Sequence, residues 1–134
     1  MRYMLDTNIC IYLIKGQPPQ LLQRLGRQRE GDVVMSAITW AELRAGLEIQ
    51  SAMRAHDERI LALLAQRIPV LPFDEAAGVS YGTLRAAVRE RSRYTMMDRL
   101  IASHAHCLGL TLVTNNEADF RDYPGLRIEN WAVV

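Results

Sequence analysis

Met1-Arg2-Tyr3-Met4-Leu5-Asp6-Thr7-Asn8-Ile9 is a short apolar run that ends in a carboxylate and turns at once into helix-forming sequence. In an open α/β sheet the carboxyl end of a strand is where ligands bind, so an acid there points into a crevice. Three more acids recur in comparable settings: Glu42 in Thr39-Trp40-Ala41-Glu42-Leu43, Asp98 in Thr95-Met96-Met97-Asp98-Arg99-Leu100-Ile101-Ala102, and Asp119 in Thr114-Asn115-Asn116-Glu117-Ala118-Asp119-Phe120. Each stands near the start of an expected helix. Brought together by the fold, they would make a pocket of hard oxygen ligands suited to magnesium or manganese.

Working outward, apolar runs predict strands at Tyr3 to Leu5, Val33 to Ser36, Pro69 to Leu71, Thr111 to Val113 and Leu126 to Ile128. Helical periodicity predicts helices over Asn8 to Lys15, Pro18 to Arg27, Thr39 to Gln50, Met53 to Gln66, Asp74 to Glu90 and Met96 to Leu108. Gly31, Pro72 and Gly109 mark where elements should stop. Strands joined through helices favour a single, mostly parallel sheet with right-handed crossovers, an α/β fold.

The chain has 134 residues without a repeat or linker, which predicts one domain over 1–134, large enough to bury a core unaided by disulfides. A formal net charge of +1 argues against a protein that coats nucleic acid through bulk positive field. Every basic residue except Lys15 is arginine, which suits bidentate phosphate contacts, although high-GC codon usage gives the same bias. Cys10 and Cys107 are the only cysteines, and neither a secretory signal nor a long apolar span is evident, so a reducing cytoplasm and no membrane are expected.

On the helix expected from Thr39, residues Ile38, Glu42, Ala45 and Ile49 share a stripe, so Glu42 should face inward while Arg44 points away from it. Asp98 leads a similar stripe through Ile101, Ala102 and Ala105. Capping offers a plainer account of three acids: Thr39-x-x-Glu42, Thr95-x-x-Asp98 and Asn116-x-x-Asp119 all have the spacing of a capping box. That account leaves Asp6 aside, and capping and ligation are compatible. Two carboxylates about 5 Å apart repel by roughly 3 kcal/mol at an effective dielectric of 20, so four together must be protonated or metal-bound.

Leu5-Asp6-Thr7-Asn8, the acid of Ala41-Glu42-Leu43, Asp98-Arg99-Leu100-Ile101-Ala102 with His104-Ala105, Val113-Thr114-Asn115-Asn116 through Asp119-Phe120, and the closing Leu126-Arg127-Ile128-Glu129-Asn130-Trp131 resemble, in order and spacing, the PIN domain of bacterial VapC-type toxins. The resemblance covers essentially the whole chain. It implies a PIN-like, Rossmann-like α/β/α sandwich in three layers around a sheet of about five strands. It also implies a magnesium- or manganese-dependent ribonuclease with Asp6, Glu42 and Asp98 as core acids and Asp119, or the position of Asn116, as the fourth. Further implications are a transfer RNA substrate cut at or near its anticodon, a homodimer, and a small antitoxin of VapB type. Two departures stand out: Arg91-Ser92-Arg93-Tyr94-Thr95-Met96-Met97 replaces a glycine- and proline-containing loop of many relatives, and Asn116 stands where some carry aspartate.

Around these acids, Thr7, Asn8, Thr114 and Asn116 are expected to hydrogen-bond ligands or substrate. Arg85, Arg89, Arg93 and Arg99 around Tyr94 are candidates for an RNA-facing rim, with a solvated helix face as the equal alternative. His104 and His106 project some 200° apart and cannot chelate together, so packing or exposure is expected. The cysteines read as ordinary thiols, and Trp40 and Trp131 as core or interface anchors. Rival functions fit less well. A phosphoacceptor receiver needs a lysine on a late strand, a haloacid-type phosphatase needs aspartate where Asn8 stands, and structure-specific DNA nucleases need extra clamp elements. A catalytically inactive PIN-like module that binds RNA or a protein is the remaining alternative.

Overall fold

The computed structural model describes residues 1–89 and 95–133. Five short strands, β1 (Tyr3–Leu5), β2 (Val33–Ser36), β3 (Val70–Leu71), β4 (Thr111–Val113) and β5 (Ile128–Glu129), form one sheet in the order β3-β2-β1-β4-β5. Every pairing is parallel, with Leu5 opposite Met35 on one side and Val113 on the other. Chain order reverses at β1, so the crevice at its carboxyl end, beside β4, is where such a sheet binds ligands.

The helices are α1 (Thr7–Lys15), α2 (Pro19–Gly26), α3 (Ala37–Gln50), α4 (Arg54–Arg67), α5 (Glu75–Ala87), α6 (Thr95–Cys107) and the single turn α7 (Glu117–Phe120). Alternation along β1 divides them into two layers. Tyr3 and Leu5 enter a core with Ile9, Leu21, Leu43, Leu47, Leu61 and Trp131, whereas Met4 enters the opposite one with Leu84, Ile101, Ala102, Leu112 and Phe120. This is the expected three-layer sandwich. Trp131 is a core residue, stacked edge-on against Tyr3 at 4.8 Å between ring centroids.

Three local expectations are corrected. Helix α3 starts directly from β2, capped by Ser36, whose hydroxyl accepts from the Ile38 N–H at 3.1 Å. Its buried stripe is therefore Thr39, Leu43 and Leu47, while Ile49 is 77% exposed. Glu42 lies on the flank of that stripe, half-buried. Helix α5 stops at Ala87 with Val88 as its C-cap, and Glu90, its expected end, lies outside the described residues. The helix start expected at Asp119 is the single turn α7, too short to show a periodicity.

Candidate metal centre

Asp6 ends β1 and begins α1. Its backbone N–H donates to the Val113 carbonyl at 3.0 Å, and its side chain accepts from the Ile9 N–H at 2.9 Å. Asp6 is thus the N-cap of α1, fixed by the sheet on one side and the helix on the other. Thr114, at the same edge of the sheet just past β4, gives Asp6 a side-chain hydrogen bond. It is fully buried, and its hydroxyl oxygen also accepts from the Asn116 N–H at 2.9 Å.

Glu42 reaches this edge from the second turn of α3. Thr7 donates its hydroxyl proton to Glu42 Oε1 at 2.5 Å and stands 3.4 Å from the hydroxyl of buried Thr39. Asp98 stands in the first turn of α6 and Asp119 in α7. Burial, then the charges of Asp6, Asp119 and Glu42 in that order, push the Asp98 carboxyl up to about 6. The other three predicted acids therefore all lie within electrostatic reach of Asp98. The Asp6 carboxyl is raised as well, chiefly by burial and further by Glu42, against the opposing hydrogen bonds from Thr114 and Ile9.

The capping account fails where it was expected and holds where it was not. At Glu42 the cap is Ser36, at Asn116 the side chain makes no capping bond, and Thr95's side chain lies outside the described residues. Asp6 caps with its own side chain. Asp119 instead has its backbone N–H bonded to the Asn116 carbonyl at 3.0 Å, which leaves its exposed carboxylate to the pocket's field.

Among the described residues no ion pair involves Asp6, Glu42, Asp98 or Asp119. Nor do any three acids among them already stand close enough to chelate an ion together. This donor set fits magnesium, which keeps several waters and takes one or two carboxylates, better than it fits an ion requiring a closed protein cage. Charge repulsion that no ion pair among the described residues relieves, on side chains of the right hardness, favours a divalent cation.

Other expected residues sort clearly. Asn8 is exposed in the first turn of α1. Arg85 and Arg89 are exposed, and Arg93 and Tyr94 lie outside the described residues. Arg99, expected on an RNA-facing rim, is instead fully buried, donating to the Val88 carbonyl at 3.3 Å and lying 5.9 Å from the Tyr123 ring centroid. It holds the end of α5 against α6 and cannot meet RNA there. The sequence reading also missed a neutral relay on the pocket's flank: Asn130 donates to Asn115 at 3.0 Å, and Asn115 to the Tyr12 hydroxyl at 3.1 Å. Asn130 follows β5 as Asp6 follows β1, which was the available signal. Behind Glu42, an apolar groove of about 330 Å³ runs between α1, α3 and α4, lined by Ile11, Ile14, Leu43, Leu47 and Leu61.

The PIN domain model matches residues 3–126. A tRNA(fMet)-specific endonuclease VapC from Shigella flexneri is 37% identical, with 98% of this chain and 99% of that protein covered. The chain belongs to the VapC family of PIN domains. Solved relatives agree in shape: the DNA-bound VapBC of Salmonella typhimurium superposes with a TM-score of 0.87 at 33% identity, covering 98% of each chain. VapBC2 of Rickettsia felis, bound to a DNA fragment from their promoter, gives 0.85 at 33% identity over 98% of this chain and 99% of that one. Three of the four acids of this VapC-family fold follow strand-to-helix junctions, Asp6 after β1, Glu42 in α3 after β2 and Asp119 in α7 after β4, while Asp98 stands in the first turn of α6.

Proposed function

We propose that this VapC-family ribonuclease is a magnesium- or manganese-dependent endoribonuclease, the toxin of a toxin-antitoxin pair, that hydrolyses transfer RNA at or near the anticodon. The observation that carries the proposal is the gathering of acids at the carboxyl edge of the sheet, Asp6 at the end of β1 and Glu42 hydrogen-bonded to Thr7 beside it, where the Asp98 carboxyl is also raised. Asp6, Glu42 and Asp98 would hold the cation, with Asp119 at the rim. When bound, such an ion polarises a phosphodiester and makes a water more acidic. Thr7 keeps the Glu42 carboxylate turned toward the pocket, and Thr114 does the same for Asp6. Asn8 and Asn116, both exposed, would hydrogen-bond RNA. Arg85, exposed on α5, and Arg89, exposed just beyond its end, would meet its phosphates. The transfer RNA assignment is supported by the name of the Shigella relative.

The VapBC complexes support a VapB-type partner. An amphipathic segment of that partner would lie in the groove behind Glu42, with an arginine or lysine reaching the carboxylates. We take the working form to be a homodimer in the cytoplasm, within a larger assembly when inhibited. No helix among the described residues is long and apolar enough to cross a membrane.

Purified protein should cut RNA with Mg²⁺ or Mn²⁺, stop with EDTA, and leave 5′-phosphate and 3′-hydroxyl ends. Mapped ends in cells should cluster at a few transfer RNA sites and vanish for Asp6→Asn. Cleavage that persists in EDTA would reject the metal assignment, and RNA binding without any cleavage would establish the inactive-module alternative.

A further inference from the structure

Ser36 and His104 lie 68 positions apart in sequence and meet in the interior, Ser36 Oγ to His104 Nδ1 at 2.8 Å. Both are buried, and the His104 ring lies edge-on to Phe73, with 5.4 Å between ring centroids. Ser36 already accepts from the Ile38 N–H, so its own proton is the one best given to Nδ1. Burial lowers the imidazole's affinity for a proton, against the opposing charge of Asp74, which keeps the ring neutral and Nδ1 able to accept.

The placement of this bond matters because of what the two helices carry. Glu42 lies six residues after Ser36 along α3, and Asp98 lies six residues before His104 along α6. Six residues correspond to about 9 Å of helical rise on each arm. Helices α3 and α6 pack against each other. The two arms therefore run side by side, joined at one end by the hydrogen bond and each carrying a carboxylate about two turns away. We infer that the Ser36–His104 hydrogen bond sets the spacing of α3 against α6, making His104 a positioning residue that tunes how tightly Glu42 and Asp98 together hold a divalent cation. This rests on the metal-site reading given above.

Asparagine and glutamine at 104 separate this role from simple packing. Asparagine offers its amide oxygen near the position of Nδ1, whereas glutamine places its amide near Nε2 and leaves Ser36 without that acceptor. Mn²⁺ binding to the full chain, read by calorimetry, should be within about twofold of wild type for His104→Asn. It should weaken about five- to tenfold for His104→Gln, with melting temperatures of the two metal-free variants alike. Ser36→Ala should weaken Mn²⁺ binding as His104→Gln does, and Ser36→Thr, which retains the hydroxyl, should restore it. Equal Mn²⁺ affinity in wild type, His104→Gln and Ser36→Ala would overturn the inference while leaving the metal site standing. If neither variant at 104 folds, the Ser36 pair decides alone. No Mn²⁺ binding by the wild type would overturn the metal site itself, and this inference with it.

Discussion

Near the end of α3, Glu48 sits in a closed ring of charge with Arg44, Arg54 and Glu58, at distances from 2.5 to 3.7 Å. Less than two turns earlier on the same helix, Glu42 has a threonine hydroxyl and neighbouring carboxylates for company. The ring ties α3 to α4 in solvent, where each pair contributes little and is screened by salt. At the carboxyl edge of the sheet the acids are partly desolvated, and their repulsion acts through a less polarisable medium. One helix thus carries acids arranged for solubility at one end and acids kept unneutralised at the other. Only the second arrangement costs stability, and only the second can serve a cation.

The strongest way to break this contrast is by deleting charge. Asp98→Asn should lower the RNA cleavage rate by about two to three orders of magnitude, the scale of losing one preorganised charge-stabilising group, whereas Glu48→Gln should leave it unchanged. Comparable losses from both substitutions, in initial rates at saturating Mg²⁺, would mean that the two regions do not differ in function.

Stability should move the opposite way. An ordinary aspartate titrates near 3.9 in the unfolded chain, while folded Asp98 stands at about 6. Between those values the folded state binds more protons, so this group's contribution to stability is favourable below pH 4 and is lost as pH rises through 6. Without metal, Asp98→Asn should raise the melting temperature at pH 7 by about 4 °C, corresponding to ~1 kcal/mol once partial exposure is allowed for. The gain should shrink toward pH 4.5 and should reverse in saturating Mg²⁺. A variant less stable than wild type at pH 7 without metal would show that the pocket acids are not in conflict.

A smaller effect is expected from the hydroxyl that steadies Glu42. Thr7→Val keeps the shape and removes the donor, and a hydrogen bond to a charged group of about 1.5 kcal/mol predicts a roughly tenfold loss of cleavage. Smallest of all, Arg54→Ala should cost under about 1 kcal/mol in denaturant unfolding and leave cleavage untouched.

The sheet, its strand positions and the placement of Asp6 and Asp119 beside strand ends were legible in the sequence because a short apolar run broken by an acid is a dense local signal. The start of α3 was not. Ser36 reads equally well as the last residue of a strand, and Thr39 looks like a cap because a hydroxyl near a helix start usually is one. Burial of Thr39 beside Thr7 depends on how α1 meets α3, which spacing along either helix cannot reveal. Arg99 was misread for a related reason. A guanidinium beneath a tyrosine ring is a tertiary fact, and in sequence it is one more arginine in a basic stretch.

The side chain of Asp6 holds the first turn of α1 and, in the proposed function, also holds the cation. Under selection for survival of self-poisoning, the routes to a harmless chain are therefore unequal. Exchanging Asp98 or Glu42 for a neutral residue removes one carboxylate from the pocket but leaves the α1 cap and the apolar groove proposed for the inhibitor in place. An alanine at position 6 also undoes a helix cap, at about 1 kcal/mol, and sends part of the population toward proteolysis. Inactive variants that still titrate the inhibitor should accumulate at Asp98 and Glu42, and those that disappear from the cell should accumulate at Asp6.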